Sequence, residues 1–280
     1  MPNTQRSFVG RVRAQLGTLP ATERRLAEFA LDFPGDLASY TGAELADLAG
    51  VSRATVSRFV RRLGYESFEA ARRHVRDDKQ TGSPLLLSAS TKVSGQSAVE
   101  AHTRHGVQNL TATLARLPDA LIDTIARAIV DARQVLVFGY RSSQAFASYF
   151  RWQILQVAER TLALPGPGET VGEHLAGLSA QDIVIVFGLR RRVPQTDAIL
   201  DYAARAGARV LYLTDQQAPD HPGATWSIHC ETSAPGALDN HVAVLGVCGL
   251  LATRVLERAG NRGRKRLSTI ESAHDAMEEL

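Results

Sequence analysis

Residues 41–63 read TGAELADLAGVSRATVSRFVRRL, and their pattern indicates how the N-terminal part of the chain folds. Thr41 can cap a helix with its hydroxyl, and Glu44, three residues later, can return the hydrogen bond, which makes a capping box. Gly50 supplies a turn, and Ser52 is a second candidate cap before a longer helix. The stretch therefore predicts two short helices joined by a tight glycine turn.

The second of these helices is predicted to have one apolar and one basic face. Its apolar side chains are three and four residues apart, which indicates a single buried stripe of Val56, Phe59, Val60 and Leu63. The other side and its flanks carry guanidinium, hydroxyl and methyl groups, from Arg53, Ala54, Thr55, Ser57, Arg58, Arg61 and Arg62. This pattern is typical of a recognition helix, and an ordinary helical hairpin with a solvated basic face is the alternative.

A helix-turn-helix of this kind binds DNA by placing its second helix in the major groove. Arginine suits the role because its planar fork donates paired hydrogen bonds to guanine and also holds phosphates. We therefore predict that the basic face, together with Thr41 and Ser52, contacts a double-stranded DNA operator. Residues 1–79 hold 13 Lys+Arg against 10 Asp+Glu, and the rest of the chain holds 19 against 19. No acid occurs in residues 51–65, which concentrates positive potential there.

The totals indicate a globular protein of two domains. The chain has 280 residues, of which 44% are hydrophobic and 22% are charged, so disorder is not expected. Cys230 and Cys248 lie in apolar runs and are interpreted as reduced core residues rather than as a disulfide or a zinc site. Residues 1–13 lack the apolar segment of a signal peptide, and the longest apolar run, residues 242–252, is too short to span a bilayer. We therefore expect a cytoplasmic protein without a membrane partner.

The helix-turn-helix is expected to lie within a compact all-helical domain of residues 1–78. Apolar residues at helical spacing predict further helices over residues 8–19 and 20–33. Residues 79–97 are rich in Ser, Thr and Gly, which is typical of a linker. Two connecting helices are predicted within residues 98–133, and we expect them either to pack against the second domain or to pair between subunits.

From residue 134 the sequence alternates between strands and helices. Five apolar runs predict strands, at residues 135–139, 161–164, 182–188, 209–215 and 225–231. Because these runs are apolar throughout and helical patterns follow them, we expect a parallel sheet covered on both faces. This defines an α/β doubly wound domain over residues 134–260, with residues 261–280 as a C-terminal tail. A long apolar helix over residues 238–259 closes the domain, either as an oligomer contact or as a plain core helix.

Two loops that follow strands are candidate ligand sites, because such sheets bind ligands at the carboxyl ends of their strands. The first loop contains Gly139, Tyr140, Arg141, Ser142 and Ser143. Its hydroxyls, its arginine and the amides of the following helix could hold a phosphate. The alternative is a capped loop in which Ser142 or Ser143 serves only as the N-cap. The loop is neither a dinucleotide fingerprint nor a P-loop, because the later glycines and the Gly-Lys pair are missing.

The loop after the third strand contains three consecutive arginines. Gly188 is followed at short distance by Arg190, Arg191 and Arg192, whose mutual repulsion is relieved by an anion, an acidic neighbour or solvent. We interpret this loop as part of a site for a small anionic effector. His241, before the long apolar run, is a further candidate ligand contact. No spacing of His, Cys, Asp or Glu predicts a metal site, and no cofactor is expected.

The order of these features resembles the RpiR/MurR family of bacterial transcription regulators, in which a helix-turn-helix precedes a sugar isomerase (SIS) domain. The most specific part is LADLAGVSRATVSRFVRRLGYESFEAAR at residues 45–72, and VFGYRSS at residues 137–143 is similar to the family's first phosphate loop. The resemblance implies that a phosphorylated sugar or a related derivative alters DNA affinity. Residues 188–193 read GLRRRV where the family has a Ser-x-Ser-Gly-x-Thr loop. This departure implies either an effector with more negative charge, such as a sugar acid, or a remodelled pocket.

We predict a transcription regulator that is not an enzyme and that forms a homodimer or homotetramer. Two helix-turn-helix units on a symmetric oligomer would read a palindromic operator. The alternative is a sugar-phosphate isomerase with an accessory helical domain, which requires a positioned acid and base. The candidates for those groups have no diagnostic spacing; they are Glu169, Glu173, His174, His229, Glu231, Asp239 and His241.

Overall fold

The computed structural model describes residues 7–32, 36–38, 40–80, 97–190, 192–235 and 238–279. These residues form two compact units, one within Met1–Gly95 and the other within Gln96–Pro235 and Asp239–Leu280. The predicted linker, residues 79–97, lies outside the described residues except at its two ends. None of the described helices is both long enough and apolar enough to cross a membrane.

Five α-helices form the described part of the N-terminal unit. They are α1 (Phe8–Gln15), α2 (Ala21–Asp32), α3 (Gly42–Leu48), α4 (Arg53–Arg62) and α5 (Phe68–Gln80). Their apolar faces meet in one core, in which Phe8, Leu26, Phe59 and Leu63 are completely buried. The helix predicted over residues 8–19 is shorter than expected, because a turn of 3-10 helix, Leu16–Thr18, follows α1.

The second unit is built on a parallel sheet of five strands. They are β1 (Val135–Gly139), β2 (Thr161–Leu164), β3 (Ile183–Gly188), β4 (Arg209–Asp215) and β5 (Trp226–Cys230). Their order across the sheet is β2-β1-β3-β4-β5, and every neighbouring pair is parallel. The chain adds β2 on one side of β1 and the later strands on the other side, so the winding direction reverses between β1 and β3. The predicted doubly wound parallel sheet is confirmed.

Helices cover both faces of this sheet. They are α6 (Ala98–Leu114), α7 (Asp119–Val130), α8 (Ser143–Leu155), α9 (Gly172–Leu175), α10 (Pro194–Arg205) and α11 (Val242–Met277). Alternate residues of β3 join different cores, since Ile185 packs in the core with α7, α8 and α11, and Val186 packs in the core with α10. Helix α6 packs against α11. The connecting helices therefore pack against the second domain, which was the first of the two alternatives.

Helix α11 differs at both ends from its prediction. It begins at Val242 rather than at residue 238, because Asn240 Oδ1 accepts a hydrogen bond from the Val242 backbone N at 3.1 Å, and Leu238 is 76% exposed. The helix continues to Met277, with a break at Gly260 where φ is 55° and ψ is −136°. The residues interpreted as a C-terminal tail are therefore mostly helical. One side of α11 enters the core of the second unit, through Ala243, Val244, Val247, Cys248, Leu251 and Val255.

Candidate functional site

Hydrogen bonds at both helix starts fix the turn between α3 and α4. Thr41 Oγ1 accepts from the Glu44 backbone N at 3.2 Å, and Glu44 Oε2 accepts from the Thr41 backbone N at 2.7 Å, which is the predicted capping box. Ser52 Oγ accepts from the Thr55 backbone N at 3.1 Å and caps α4. Gly50, between the helices, has a φ of 61°, a conformation in which a Cβ would be strained. The two helices are therefore joined by a defined turn.

One face of α4 is buried and the opposite face is open to solvent. The predicted apolar stripe of Val56, Phe59, Val60 and Leu63 is at most 2% exposed. The exposed residues are Ser52, Arg53, Ala54, Ser57, Arg58, Arg61 and Arg62, and Thr41 at the start of α3 is exposed as well. Guanidinium and hydroxyl groups on such a face can reach base edges and phosphates without any change in the core.

Thr55, which we predicted among the DNA contacts, is only 4% exposed. Helix α4 packs against α2, α3 and α5, and Thr55 is among its buried residues. The Thr55 hydroxyl lies 2.9 Å from Ser52 Oγ and accepts a hydrogen bond from Arg58 Nη2 at 3.2 Å. The prediction of direct contact is therefore corrected, and Thr55 instead orients Arg58.

A carboxylate that sequence reasoning missed lies beneath the basic face. Glu23 of α2 is 3% exposed, and its Oε2 accepts from Arg62 Nε at 2.8 Å, while its Oε1 lies 4.0 Å from Arg58 Nε. The Arg62 side chain is 45% exposed and the Arg58 side chain is 62% exposed. Within the described parts of the chain, Arg53 and Arg61 have no ion-pair partner. Arg62 is thus engaged by the protein itself, and the other guanidiniums remain accessible.

The second candidate site lies where the winding direction of the sheet reverses. In sheets of this strand order, ligands bind at the carboxyl ends of the strands on either side of the reversal, here β1 and β3. Both strands end in a glycine. A Cβ at Gly139 would lie 2.2 Å from the Ser143 backbone O, and a Cβ at Gly188 would lie 2.6 Å from Tyr212 Cε2. Glycine is therefore needed at Gly139 for the close turn into α8, and at Gly188 to make room for the Tyr212 ring.

The loop after β1 presents one exposed and strained arginine. Arg141 has a φ of 59°, and its guanidinium has no hydrogen-bond or ion-pair partner in the portion of the chain that the structure describes. A non-glycine residue in this conformation is a source of backbone strain, which often accompanies ligand sites. Ser142 is also exposed, whereas Tyr140 is half-buried, and burial raises the pKa of the Tyr140 phenol. Arg141 is therefore the accessible charge of this loop.

Two expectations for the same loop are corrected. The backbone N atoms of Ser143 and Gln144 donate to the carbonyls of Tyr140 and Arg141 at 3.0 Å and 3.2 Å, so these amides at the start of α8 are already used. Ser143 is 3% exposed, which removes it from contact with a ligand. Ser142 occupies the N-cap position, but its side chain makes no capping hydrogen bond. A capped loop therefore does not account for the serine pair.

Acids of the same chain neutralise the arginines after β3. Nη1 of Arg192 lies 2.8 Å from Oδ2 of Asp215 at the end of β4, and Nη1 of Arg190 pairs with Oδ1 of Asp239, which precedes α11. Asp215 Oδ2 also accepts from the Arg190 backbone N at 2.8 Å, in a loop where Arg190 has a φ of 40°. Arg191 lies outside the described residues. Acidic neighbours, one of the alternatives that we gave beside an anion, therefore relieve the repulsion of Arg190 and Arg192, and their contact with an effector stays a prediction.

His241 precedes α11 and is half-buried, with its ring centroid 5.0 Å from that of Phe146. Burial lowers the pKa of His241, with Asp239 opposing and Arg190 acting in the same direction as burial, which favours the neutral ring. It can therefore offer hydrogen bonds but no charge. The other acid and base candidates form separate local pairs: His174 with Glu169, His229 with Asp220, Glu231 with Arg116 and Glu173 with Thr170.

Sequence signals for the missed residues differ in strength. Asp215 ends an apolar run that we predicted as a strand, and a carboxylate at the carboxyl end of a parallel strand is a detectable signal. Glu23 lies 39 residues from Arg62 in a helix with other charged residues, so no local spacing links the two.

Two parts of the chain match known domain families. Residues 8–82 match the helix-turn-helix domain of the rpiR family, and residues 128–249 match the SIS domain. The HTH-type transcriptional regulator HexR of Escherichia coli is 25% identical to this chain over 280 residues, covering 95% of this chain and 94% of HexR.

Solved structures agree with these matches. The sugar isomerase domain of an RpiR transcription factor from Sphaerobacter thermophilus has 27% sequence identity and a TM-score of 0.57, and it covers 62% of this chain and 97% of its own length. NanR of Vibrio vulnificus, solved in complex with ManNAc-6P, has the same fold, with a TM-score of 0.55 and 17% identity over 98% of this chain and all 100% of NanR. An rpiR-type helix-turn-helix followed by a SIS domain makes this chain a member of the RpiR family of transcription regulators.

Proposed function

We propose that this regulator reads its operator with the exposed face of α4. The polarity of that helix carries the proposal, because its apolar side is buried and its guanidiniums point outward. Arg53 and Arg61 have no acidic partner within the described residues, and Arg58 remains 62% exposed although Glu23 lies 4.0 Å away. These side chains supply base contacts and phosphate contacts, while Arg62 holds the helix to α2.

The effector is a small anionic sugar derivative that binds at the carboxyl ends of β1 and β3. Arg141 supports this assignment, since it is exposed and strained at the reversal point of the sheet. Ser142 and the neutral His241 supply hydrogen bonds. NanR, which shares the fold, binds the sugar phosphate ManNAc-6P. Asp239 and Asp215 already neutralise Arg190 and Arg192. The two arginines therefore favour the second alternative, a remodelled pocket, over an effector with more negative charge.

Effector binding alters operator affinity by favouring one arrangement of a homodimer or homotetramer. Two copies of α4 in a symmetric oligomer recognise a palindromic site, because each half-site accepts one recognition helix. A ligand changes this recognition only if it binds the two arrangements with different affinity. The exposed apolar residues of α11, Val242, Leu245 and Leu256, are candidates for contact between copies.

Fluorescence anisotropy on the full chain tests both assignments. An operator is first selected from genomic fragments, and its affinity is then measured with N-acetylmannosamine 6-phosphate, glucose 6-phosphate and gluconate. We expect at least one of these anions to change operator affinity about tenfold, which corresponds to about 1.4 kcal/mol of coupling. Failure of the wild-type chain to select any DNA would refute the regulator, and selection without any response would refute the effector class.

The second candidate function is a sugar-phosphate isomerase. The similarity to sugar isomerase domains favours it, whereas the acid and base candidates are dispersed among separate pairs. Incubation of the chain with aldose and ketose phosphates, followed by NMR, distinguishes the two functions. We expect no turnover, and conversion at about 1 per second or faster would establish an enzyme instead.

A further inference from the structure

A cleft of about 510 Å³ lies in the second unit at the amino ends of the strands, opposite the edge that carries the loops after β1 and β3. Val135, the first residue of β1, and Arg160, directly before β2, line it. The end of α7 and the residues after α8 contribute Val130 and Val157, and the part of α11 after the Gly260 break forms the remaining wall. The cleft is therefore distinct from the effector site.

Positive charge dominates the lining of this cleft. The five cationic side chains come from three separate segments and are Arg133, Arg160, Arg262, Lys265 and Arg266, whereas Glu159 is the one acidic side chain of the lining. Such a concentration of like charge in a concave surface is unfavourable unless acids or a bound anion compensate for it.

The protein compensates for only part of this charge. Arg133 donates to both carboxylate oxygens of the buried Asp182, at 2.9 Å and 2.7 Å, and Arg266 lies 3.3 Å from Glu159. Across the described ranges of the chain, neither the Arg160 guanidinium nor the Lys265 ammonium has a hydrogen-bond or ion-pair partner.

Specific contacts hold the helical wall of the cleft in place. Arg262 donates to the backbone O of Val130, and Arg266 donates to the backbone O of Leu155 at 3.3 Å. Gly263 allows close approach, because a Cβ there would lie 3.2 Å from Val157 Cγ1 and 2.5 Å from the Ala259 Cβ. Arg262 and Arg266 thus fix this part of α11 to the other walls of the cleft, and Lys265 lies between them in sequence.

We propose that this cleft binds a phosphorylated metabolite that carries at least two negative charges and a carbon skeleton. Arg160 and Lys265 pair with the phosphate oxygens, and the skeleton packs on the half-buried apolar residues of the lining, Val130, Ala132 and Ala158. The volume is in the range of small-molecule sites, roughly 300–1,000 Å³. A concave lining with apolar side chains fits a small molecule better than the convex backbone of a DNA duplex. The cleft is separate from the effector site, so this proposal does not depend on which effector binds there.

Isothermal titration calorimetry of the full chain with inorganic pyrophosphate and with ADP tests the proposal, at about 50 mM salt to limit screening. The variant is Arg160→Ala/Lys265→Ala, which removes the two cations without protein partners. The matched control is Arg205→Ala/Arg264→Ala, which removes two exposed cations outside the lining, on α10 and α11. We expect both probes to bind the wild type and the control alike, and the variant to bind them at least tenfold more weakly.

Four outcomes would overturn the metabolite site. The first is that neither probe binds the wild type. The second is that the variant and the control bind both probes equally well. Alternatively, Arg141→Ala removes probe binding while Arg160→Ala/Lys265→Ala does not, which assigns the anion to the effector site. A parallel titration with a random-sequence DNA duplex tests whether the cleft binds the phosphates of DNA instead. Tenfold loss of duplex affinity in the variant, with unchanged pyrophosphate affinity, would make the cleft a DNA contact instead.

Discussion

Nη1 of Arg192 lies 2.8 Å from Oδ2 of Asp215, so a loop that follows β3 is tied to the end of β4. The same guanidinium nitrogen lies 3.3 Å from Thr214 Oγ1, which in turn donates to the Gly188 backbone O at 2.8 Å. Together with the pair between Arg190 and Asp239, this network compensates the charge of two of the arginines beside a buried strand. It also determines which arginines remain accessible to an effector.

The first prediction concerns the coupling between these two residues. Arg192→Ala leaves the carboxylate of Asp215, which is 8% exposed, without its cation, and we expect the free energy of unfolding to fall by about 1–3 kcal/mol. Asp215→Asn should also destabilise the second unit. The double variant should lose less than the sum of the single variants, by about 0.5–3 kcal/mol.

Denaturant unfolding followed by tryptophan fluorescence measures this coupling, because both tryptophans, Trp152 and Trp226, lie in the second unit. The control pair is Arg205→Ala with Asp215→Asn, for which the losses should add. Additive losses for Arg192 and Asp215 would mean that the ion pair does not contribute to stability.

The second prediction separates charge from strain at Arg141. Arg141→Gly removes the guanidinium and also relieves the positive φ of 59°, so we expect the free energy of unfolding to rise by about 1 kcal/mol. Arg141→Ala removes the same charge and keeps the strained backbone. Both variants should lose the effector response in the anisotropy assay, and only the glycine variant should gain stability. A normal response in Arg141→Gly would exclude this arginine from the effector site.

The third prediction concerns the exposed face of α4. Arg53→Ala and Arg58→Ala should each weaken operator binding by about 1–3 kcal/mol, because each removes a guanidinium that reaches bases or phosphates. Arg73→Ala, on α5, is the matched control, since it removes an exposed arginine outside the recognition helix. Gel-shift titration measures affinity, and circular dichroism verifies the fold. Equal affinity in wild type, both variants and the control would contradict the assignment of α4.

The fourth prediction distinguishes two neighbouring arginines. Arg62→Ala leaves the carboxylate of Glu23, which is 3% exposed, without its 2.8 Å partner, so we expect a loss of about 1–2 kcal/mol in the stability of the N-terminal unit. Arg61→Ala breaks no ion pair in the described residues, and its stability should remain within about 0.5 kcal/mol of wild type. Thermal unfolding followed by far-ultraviolet circular dichroism compares the two. Equal loss of stability would show that the Glu23 contact is not structural.

The fifth prediction concerns the two thiols. Burial raises the pKa of Cys230 to about 12 and also raises the pKa of Cys248 above its usual value. Thiolate is the reactive form, and the raised pKa values disfavour it at pH 8. Both side chains are also completely buried. We expect no reaction with Ellman's reagent in the native protein and reaction of two thiols per chain in denaturant. Rapid labelling of the native protein would contradict the burial of these residues.

The fold was predictable because its signals are local. The capping box of Thr41 and Glu44, the turn at Gly50 and the apolar stripe of α4 all depend on residues close in sequence, and the structure confirms them. The apolar runs likewise predict the strands, since a parallel sheet buries both faces of each strand.

The details of the candidate sites were less predictable, because they depend on contacts between distant segments. Arg190 and Asp239 are 49 residues apart, and no spacing rule pairs them. The burial of Thr55 depends on its packing within the helical bundle and not on its helical projection alone. Strain at Arg141 was also invisible, because the positive φ of a non-glycine residue follows from the surrounding fold.

The part of α11 that follows the break at Gly260 limits how far the second unit can be shortened. Helix α11 resumes after the break, and Leu267 packs against the main core while Gly263 sits close to Val157. The SIS match stops at residue 249. A fragment trimmed to that match would lose helical segments that cover the sheet and would expose apolar surface. Fragments intended for crystallisation or binding studies should therefore extend through Met277, the final residue of that helix.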